Sequence, residues 1–248
     1  MGGSGSDGSD ATKWQLKPAR DHDLPPGDKL ASLNREGGLP SLIGHWCWRR
    51  LTRFYLRLFH RFRVSGLENL PAPPFVLVAN HASHLDILAL TAAMPERYIE
   101  RLHPIAAEDH FFASFAGSLF AALAINALPL KRQAARGKDL ALLRQRLMED
   151  RLIYVLFPEG TRSRGGRMAP FKAGIGAILA GGPVPAIPCY LDGTFAALPV
   201  QRRFPRPAPL RLVIGKPIAT ADCANDREGW VEVAARCEKS VRKLGGLD

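Results

Sequence analysis

Residues 75–88 read Phe75-Val76-Leu77-Val78-Ala79-Asn80-His81-Ala82-Ser83-His84-Leu85-Asp86-Ile87-Leu88. The first five form a short apolar run opened by Pro71, Pro73 and Pro74, the pattern of a buried strand. Ile87, Leu88 and Leu90 then follow at helical spacing. A histidine thus stands where a strand ends, and an aspartate five residues later stands where a helix begins. Such a turn lies at the carboxyl edge of a sheet, where α/β folds expose reactive side chains. Asp86 can accept a hydrogen bond from one imidazole nitrogen of His81 and leave the other free as a base. On its own the spacing carries little, because an aspartate at a helix start is also an ordinary cap.

Working outward, strands are expected near 75–79, 103–107, 128–131, 152–157, 184–191 and 210–215. Helices are expected near 84–94, 110–125, 137–149, 173–181 and 226–243. Alternation of this kind predicts a single α/β domain, with a mainly parallel or mixed sheet covered by helices on both faces. A second cluster follows the apolar run Leu152-Ile153-Tyr154-Val155-Leu156: Phe157-Pro158-Glu159-Gly160-Thr161-Arg162-Ser163-Arg164. It presents a carboxylate, a hydroxyl and a guanidinium in a tight turn. Arginine grips phosphate, and glycine-rich turns add backbone donors. For Arg164 and Arg167 a solvated surface turn is an equally good account.

Taken in order, these clusters resemble the glycerolipid acyltransferase family typified by lysophosphatidic-acid acyltransferase. The family's first block, Asn-His-x4-Asp, matches Asn80, His81 and Asp86, and its third block matches Phe157 to Ser163 throughout. Its second block ends in an arginine, for which Arg132 stands in Leu128-Pro129-Leu130-Lys131-Arg132; the glycine usual a few residues earlier is replaced by Asn126-Ala127. Its fourth block matches Val184-Pro185-Ala186-Ile187-Pro188. The resemblance spans roughly residues 65 to 215.

The resemblance implies transfer of a fatty acyl group from acyl-CoA or acyl carrier protein to a lysophospholipid hydroxyl, with 1-acyl-glycerol-3-phosphate the leading acceptor. His81 would be the general base and Asp86 its orienter. Arg132, Glu159, Gly160, Thr161 and Arg162 would hold the acceptor, with the arginines on its phosphate. Ser83 and His84 read as local polar support. No cofactor and no metal are implied; a pair such as His81 and His84 lacks convincing further ligands. Two alternatives stand beside this reading: a different lysolipid acceptor, or a non-catalytic lipid-binding protein with the same fold.

Composition agrees with a lipid partner. Lys and Arg number 34 against 23 Asp and Glu, a formal charge of +11. Such an excess favours anionic partners, and without a binding motif or stacking aromatics nucleic acid is the weaker choice. Within residues 39–64, Leu42, Ile43, Trp46, Leu51, Phe54, Tyr55, Leu58 and Phe59 recur at helical spacing, with Arg49, Arg50, Arg53, Arg57 and Arg61 between them. This predicts a basic amphipathic helix at a membrane interface preceding the acyltransferase domain at 65–248, the competing account being a helix packed on the domain with a solvated basic face.

Residues 112–130 form an uncharged 19-residue stretch of membrane-spanning length. Its glycine, serines, Asn126 and Pro129 predict instead a buried helix running into a strand. Residues 1–38, of Gly, Ser and Asp as far as Asp10 and polar with Pro25-Pro26 and Gly37-Gly38 beyond it, read as a disordered leader without an apolar signal core. Its opening formally fits an N-myristoylation pattern, which Gly-Ser leaders match by accident. Cys47, Cys189, Cys223 and Cys237 make no Cys-x-x-Cys pair. Reduced thiols and peripheral attachment at the cytoplasmic face of a membrane are the expectation.

Overall fold

The computed structural model describes residues 18–36, 38–107, 114–130 and 137–247. Seven strands make one sheet: β1 (Arg63–Ser65), β2 (Phe75–Ala79), β3 (Leu102–Ala107), β4 (Leu128–Leu130), β5 (Ile153–Leu156), β6 (Ala186–Asp192) and β7 (Arg211–Ile214). Their spatial order is β1-β7-β6-β2-β5-β3-β4. Every neighbouring pair is parallel except β6 with β7. The helices are α1 (Pro26–Leu30), α2 (Leu39–His60), α3 (Leu85–Ala93), α4 (Phe115–Leu123), α5 (Gly137–Glu149), α6 (Gly174–Leu179), α7 (Thr194–Ala197) and α8 (Arg227–Gly245). The α/β class and the mainly parallel sheet are those read from the sequence.

Strand periodicity divides the core. Phe75, Leu77 and Ala79 of β2 join Ile153, Val155, Ile187 and Leu191 in one cluster, which also takes Leu85, Leu90 and Leu56 from α3 and α2. The intervening Val76, Val78, Tyr154 and Leu156 join Leu143, Ile178 and Val233 from α5, α6 and α8. A strand buried on both faces has no polar alternation, which is why β2 reads as a continuous apolar run. At one close approach glycine is required: a Cβ on Gly176 of α6 would lie 2.2 Å from Trp230 Cα of α8.

Several expectations need correction. The helix expected over 39–64 ends at His60, because Arg61 turns left-handed (φ 46°), and Arg63–Ser65 pairs with Arg211–Val213 as an edge strand. Three residues, two of them exposed, leave no periodic signal. The leader expected to be disordered over 1–38 lies outside the described residues up to 17, but 18–36 is ordered against α5. Arg20 bonds Asp150 at 2.7 Å, and Arg146 donates to the carbonyls of Leu33 and Arg35. The 112–130 stretch is a nine-residue helix and a three-residue strand, and only Ser118, Ala121 and Ala122 of that helix are buried. Among the described residues no helix is long and apolar enough to cross a membrane.

Helix α2 is inverted relative to a soluble amphipathic helix. Its buried positions are His45, Arg49, Thr52, Leu56 and His60. Leu39, Ile43, Trp46, Leu51, Phe54, Leu58 and Phe59 are exposed. Arg49 and Arg53 do not flank a lipid-facing stripe: Arg49 Nε donates to Thr91 O (2.9 Å), Arg53 Nε to Ala92 O (2.8 Å), and both guanidinium groups reach Met94 O. They satisfy carbonyls at the end of α3 that the helix itself leaves open. The outward face of α2 is apolar and aromatic as well as basic, with Arg50 and Arg57 exposed on it.

Candidate active site

The site stands at the carboxyl ends of β2 and β5. Asn80 closes β2 by bonding Leu191 twice, Nδ2 to its carbonyl at 2.9 Å and Oδ1 from its amide at 2.8 Å, which pins the strand end to β6. The next residue, His81, points its Nδ1 at Asp86 Oδ2, 2.9 Å away. Asp86 is fully buried in the first turn of α3, and the same oxygen also accepts the amides of Ala82 (2.7 Å) and Ser83 (2.8 Å). An ionised carboxylate only accepts, so it fixes the Nδ1–H tautomer and leaves Nε2 as the basic nitrogen. The aspartate thus does both things the sequence allowed, capping the turn and orienting the imidazole. Ser83 supports the turn, donating to Leu198 O (2.8 Å) and accepting from Leu85 N (3.1 Å).

The second cluster meets the first directly. Glu159 Oε1 accepts the backbone amide of His81 at 2.7 Å, and Oε2 accepts that of Ala169 at 2.8 Å. Ser163 N donates to His81 O at 2.8 Å, and the Phe157 ring stacks on the imidazole with centroids 4.1 Å apart. The resemblance implied that Glu159 holds the acceptor. It is buried, and both of its oxygens accept backbone amides, so that it clamps the histidine's main chain. Burial pushes its carboxyl above the usual range, and the two amides and His81 partly offset that. Phe157, a residue given no role of its own, proves to be one wall of the imidazole's slot.

Gly160 takes φ +72°, and a Cβ there would lie 2.6 Å from Lys172 Nζ. Glycine therefore permits both the turn and the approach of an exposed ammonium, which sequence reasoning did not single out. Thr161 is exposed and Arg162 half-buried at the same turn. Arg132, expected to bind phosphate, lies outside the described residues. His84 sits one turn from the dyad, at the start of α3. Among the described residues, no three His, Cys, Asp or Glu side chains are grouped so as to hold a metal. Chemically, a tautomer-fixed imidazole beside a glycine turn and cationic side chains can take a proton from an alcohol whose other end is anionic.

A parallel-sheet domain with His-x4-Asp at one strand end, clamped by Pro-Glu-Gly-Thr-Arg at the next, defines the class. A family model described as Acyltransferase matches residues 61–192, and the chain belongs to that family. Among similar proteins, "1-acyl-sn-glycerol-3-phosphate acyltransferase BAT2, chloroplastic" of Brassica napus is 35% identical over 165 residues, covering 64% of this chain and 46% of that protein. "1-acyl-sn-glycerol-3-phosphate acyltransferase alpha" of Mus musculus is 30% identical over 169 residues, covering 67% of this chain and 58% of that one. The chain thus spans about half the length of the curated relatives it matches. The crystal structure of the 1-acyl-sn-glycerophosphate acyltransferase PlsC from Thermotoga maritima superposes with a TM-score of 0.64 at 25% identity, covering 83% of this chain and 79% of that one.

Proposed function

We propose that the chain transfers a fatty acyl group from an acyl thioester, acyl-CoA or acyl carrier protein, to the free hydroxyl of 1-acyl-glycerol-3-phosphate. His81 Nε2 takes the hydroxyl proton as the oxygen attacks the thioester carbonyl. The tetrahedral intermediate collapses with loss of the thiolate, which recovers the proton from the imidazolium. Asp86 holds the ring and stabilises its charged form. Assistance of this kind contributes about 10²–10⁴-fold. The acceptor oxygen is itself the nucleophile, so no acyl-enzyme forms. Thr161 and Arg162 at the Gly160 turn, with Lys172 above it and Arg132 after β4, would take the phosphate. The observation that carries the reading is the His81–Asp86 contact held against the Glu159 turn. The activity for which these relatives are named points the same way.

A membrane surface, entered from its cytoplasmic face, completes the proposal. The outward apolar face of α2 supports it, as do the exposed Phe115 of α4 and Phe204, the latter among the exposed Arg202, Arg203 and Arg206. Aromatic and aliphatic residues interspersed with arginine match the interface of an anionic bilayer. The four cysteines are free, in keeping with a reducing compartment.

The test is transfer from labelled oleoyl-CoA and oleoyl-carrier protein to a panel of lysolipids, with and without a phosphomonoester, by the wild type and His81→Ala. Loss of turnover on 1-acyl-glycerol-3-phosphate in the variant is expected, by at least about a hundredfold. Undiminished turnover, or a wild type equally active on phosphate-free acceptors, refutes the base assignment or the acceptor respectively.

A further inference from the structure

At the opposite edge of the sheet lies a cavity of about 600 Å³, lined among others by Arg35, Leu39, Leu42, His45, His103 and Asn126. His103 is the second residue of β3, and the cavity's Leu152 immediately precedes β5, so the cavity opens at the amino ends of β3 and β5, while the turn after the carboxyl end of β5 carries Glu159. One strand length, about 15 Å at ~3.3 Å per residue, separates the two sites.

The cavity's polar groups are unfinished. Arg35 is only 6% exposed, yet among the described residues its Nε and Nη1 have no partner, while its Nη2 donates to Asn126 Oδ1 at 2.9 Å. His45 is 2% exposed, and its Nε2 is likewise without a partner among the described residues. The buried carboxylate of Asp21 attracts the Arg35 guanidinium, but the Nε and Nη1 donors stay open, which is costly unless something anionic or polar meets them. The third element is α2 itself, a 22-residue helix whose N-terminus, at Gly38 and Leu39, enters the cavity wall with no side chain capping it. A helix start carries partial positive charge and favours an anion. The acidic lining residues are otherwise placed: Asp150 pairs with Arg146 and Arg20, Glu36 accepts the Arg20 amide, and Glu100 is exposed. Asn126 belongs to this chain's departure from the family pattern. It takes φ 53°, the left-handed conformation glycine tolerates best, and its side chain reaches across to Arg35.

We infer that this cavity is a second anion site, which takes a phosphate group between Arg35, His45 and the start of α2. The phosphate comes either from a lipid headgroup, whose chains would lie along Leu39 and the apolar face of α2, or from a free phosphate. The site stands independently of the acyl-transfer reading, since none of its residues belongs to the dyad or its clamp.

Histidine ring resonances separate the two sites in one sample. In protein labelled with ¹³C and ¹⁵N at histidine, inorganic phosphate in the millimolar range should shift His45 and His103, with His81 reporting on the active site. Arg35→Gln should abolish the His45 response and leave acyl transfer and any His81 response intact. Arg35→Lys keeps the charge but removes the Nε and Nη1 donors; should the glutamine variant fail to fold, a weakening of at least about tenfold in the lysine variant serves instead. Dihexanoyl phosphatidate, used as monomers, distinguishes the sources. Half-saturation of His45 at tenfold or more lower concentration than inorganic phosphate marks a lipid headgroup site, and equal half-saturation a free-phosphate site. His45 and His103 resonances unmoved by either probe, or shifts that persist in Arg35→Gln, overturn the inference and leave a cavity filled by water.

Discussion

Glu159→Gln separates a clamp from a substrate ligand. The carboxylate makes two short bonds to backbone amides, 2.7 Å to His81 and 2.8 Å to Ala169. The amide side chain keeps one acceptor and turns an NH₂ group toward the other N–H. Losing a hydrogen bond to a charged group costs about 1.5–3 kcal/mol, and the stranded amide about 1–3 kcal/mol more. Burial already disfavours the charged form, so a neutral side chain recovers part of this. The net loss should be about 2–3 kcal/mol of stability, read from the urea midpoint at unchanged slope. Released at its amide, His81 shifts against Phe157 and Asp86. A displacement of about 1 Å is worth on the order of 10²-fold in rate. Steady-state kinetics should therefore show kcat falling on that scale, with KM for 1-acyl-glycerol-3-phosphate within about threefold of wild type. A raised KM with intact kcat and an unmoved urea midpoint would mean that the carboxylate faces the acceptor, and the clamp would be wrong.

Two further outcomes follow from burial and exposure. His45 and His103 are held neutral, pushed down from 6.5 to about 4 and about 3 by burial first and by neighbouring arginines second. Depressed folded values mean that the unfolded chain binds the protons first, so stability is full above pH 6.5 and falls below it. At pH 5 the pair should cost about 4 kcal/mol relative to pH 7.5, at ~1.36 kcal/mol per unit for each ring. Urea unfolding at the two pH values measures this, and a difference that survives intact in a His45→Gln/His103→Gln variant would assign it elsewhere. On α2, Leu51→Asp/Phe54→Asp/Leu58→Asp changes only exposed positions. It should leave the urea midpoint within about 1 kcal/mol of wild type but lower partition onto anionic vesicles by about 4 kcal/mol or more, roughly a thousandfold. Equal co-sedimentation of the variant and the wild type would place attachment elsewhere.

The turns were legible because each is written locally. β2 announces itself by five apolar residues after prolines, and the fully buried β5 by four. The residues that follow are fixed by hydrogen bonds spanning only a few positions, as with Asp86 and the amides of Ala82 and Ser83. What could not be read depends on partners far along the chain. Arg49 looks like any arginine of a basic helix until Thr91, 42 residues later, supplies its carbonyl. Glu159 looks like a ligand until the amide of His81, 78 residues earlier, fills one of its oxygens. Residues 18–36 have the composition of a disordered segment, and their order comes from Arg146 of α5 and from Asp150 just after it rather than from any period of their own. Asn126 carried the one usable signal. A non-glycine residue standing where a family has glycine suggests a left-handed position, and asparagine is a residue that tolerates it.

On the proposed reading, the two faces of α2 bear on catalysis through one short helix. Its inner arginines cap the C-terminal carbonyls of α3, and the first turn of α3 carries Asp86. Nine residues at ~1.5 Å each make α3 about 13 Å long, so the outward face of α2 and the aspartate that orients His81 are joined through a helix too short to bend appreciably. A lysolipid offers its hydroxyl at the level of the glycerol backbone, with the phosphate above it and the acyl chain below. An enzyme taking that hydroxyl from a bilayer must fix the depth of its base relative to the surface it rests on. Long flexible side chains at the α2–α3 contact would blur that depth, whereas guanidinium groups bonded at 2.8–2.9 Å to main-chain carbonyls hold it. If α2 rests on a bilayer as proposed, arginines buried beneath an apolar outer face are the arrangement that a fixed depth requires.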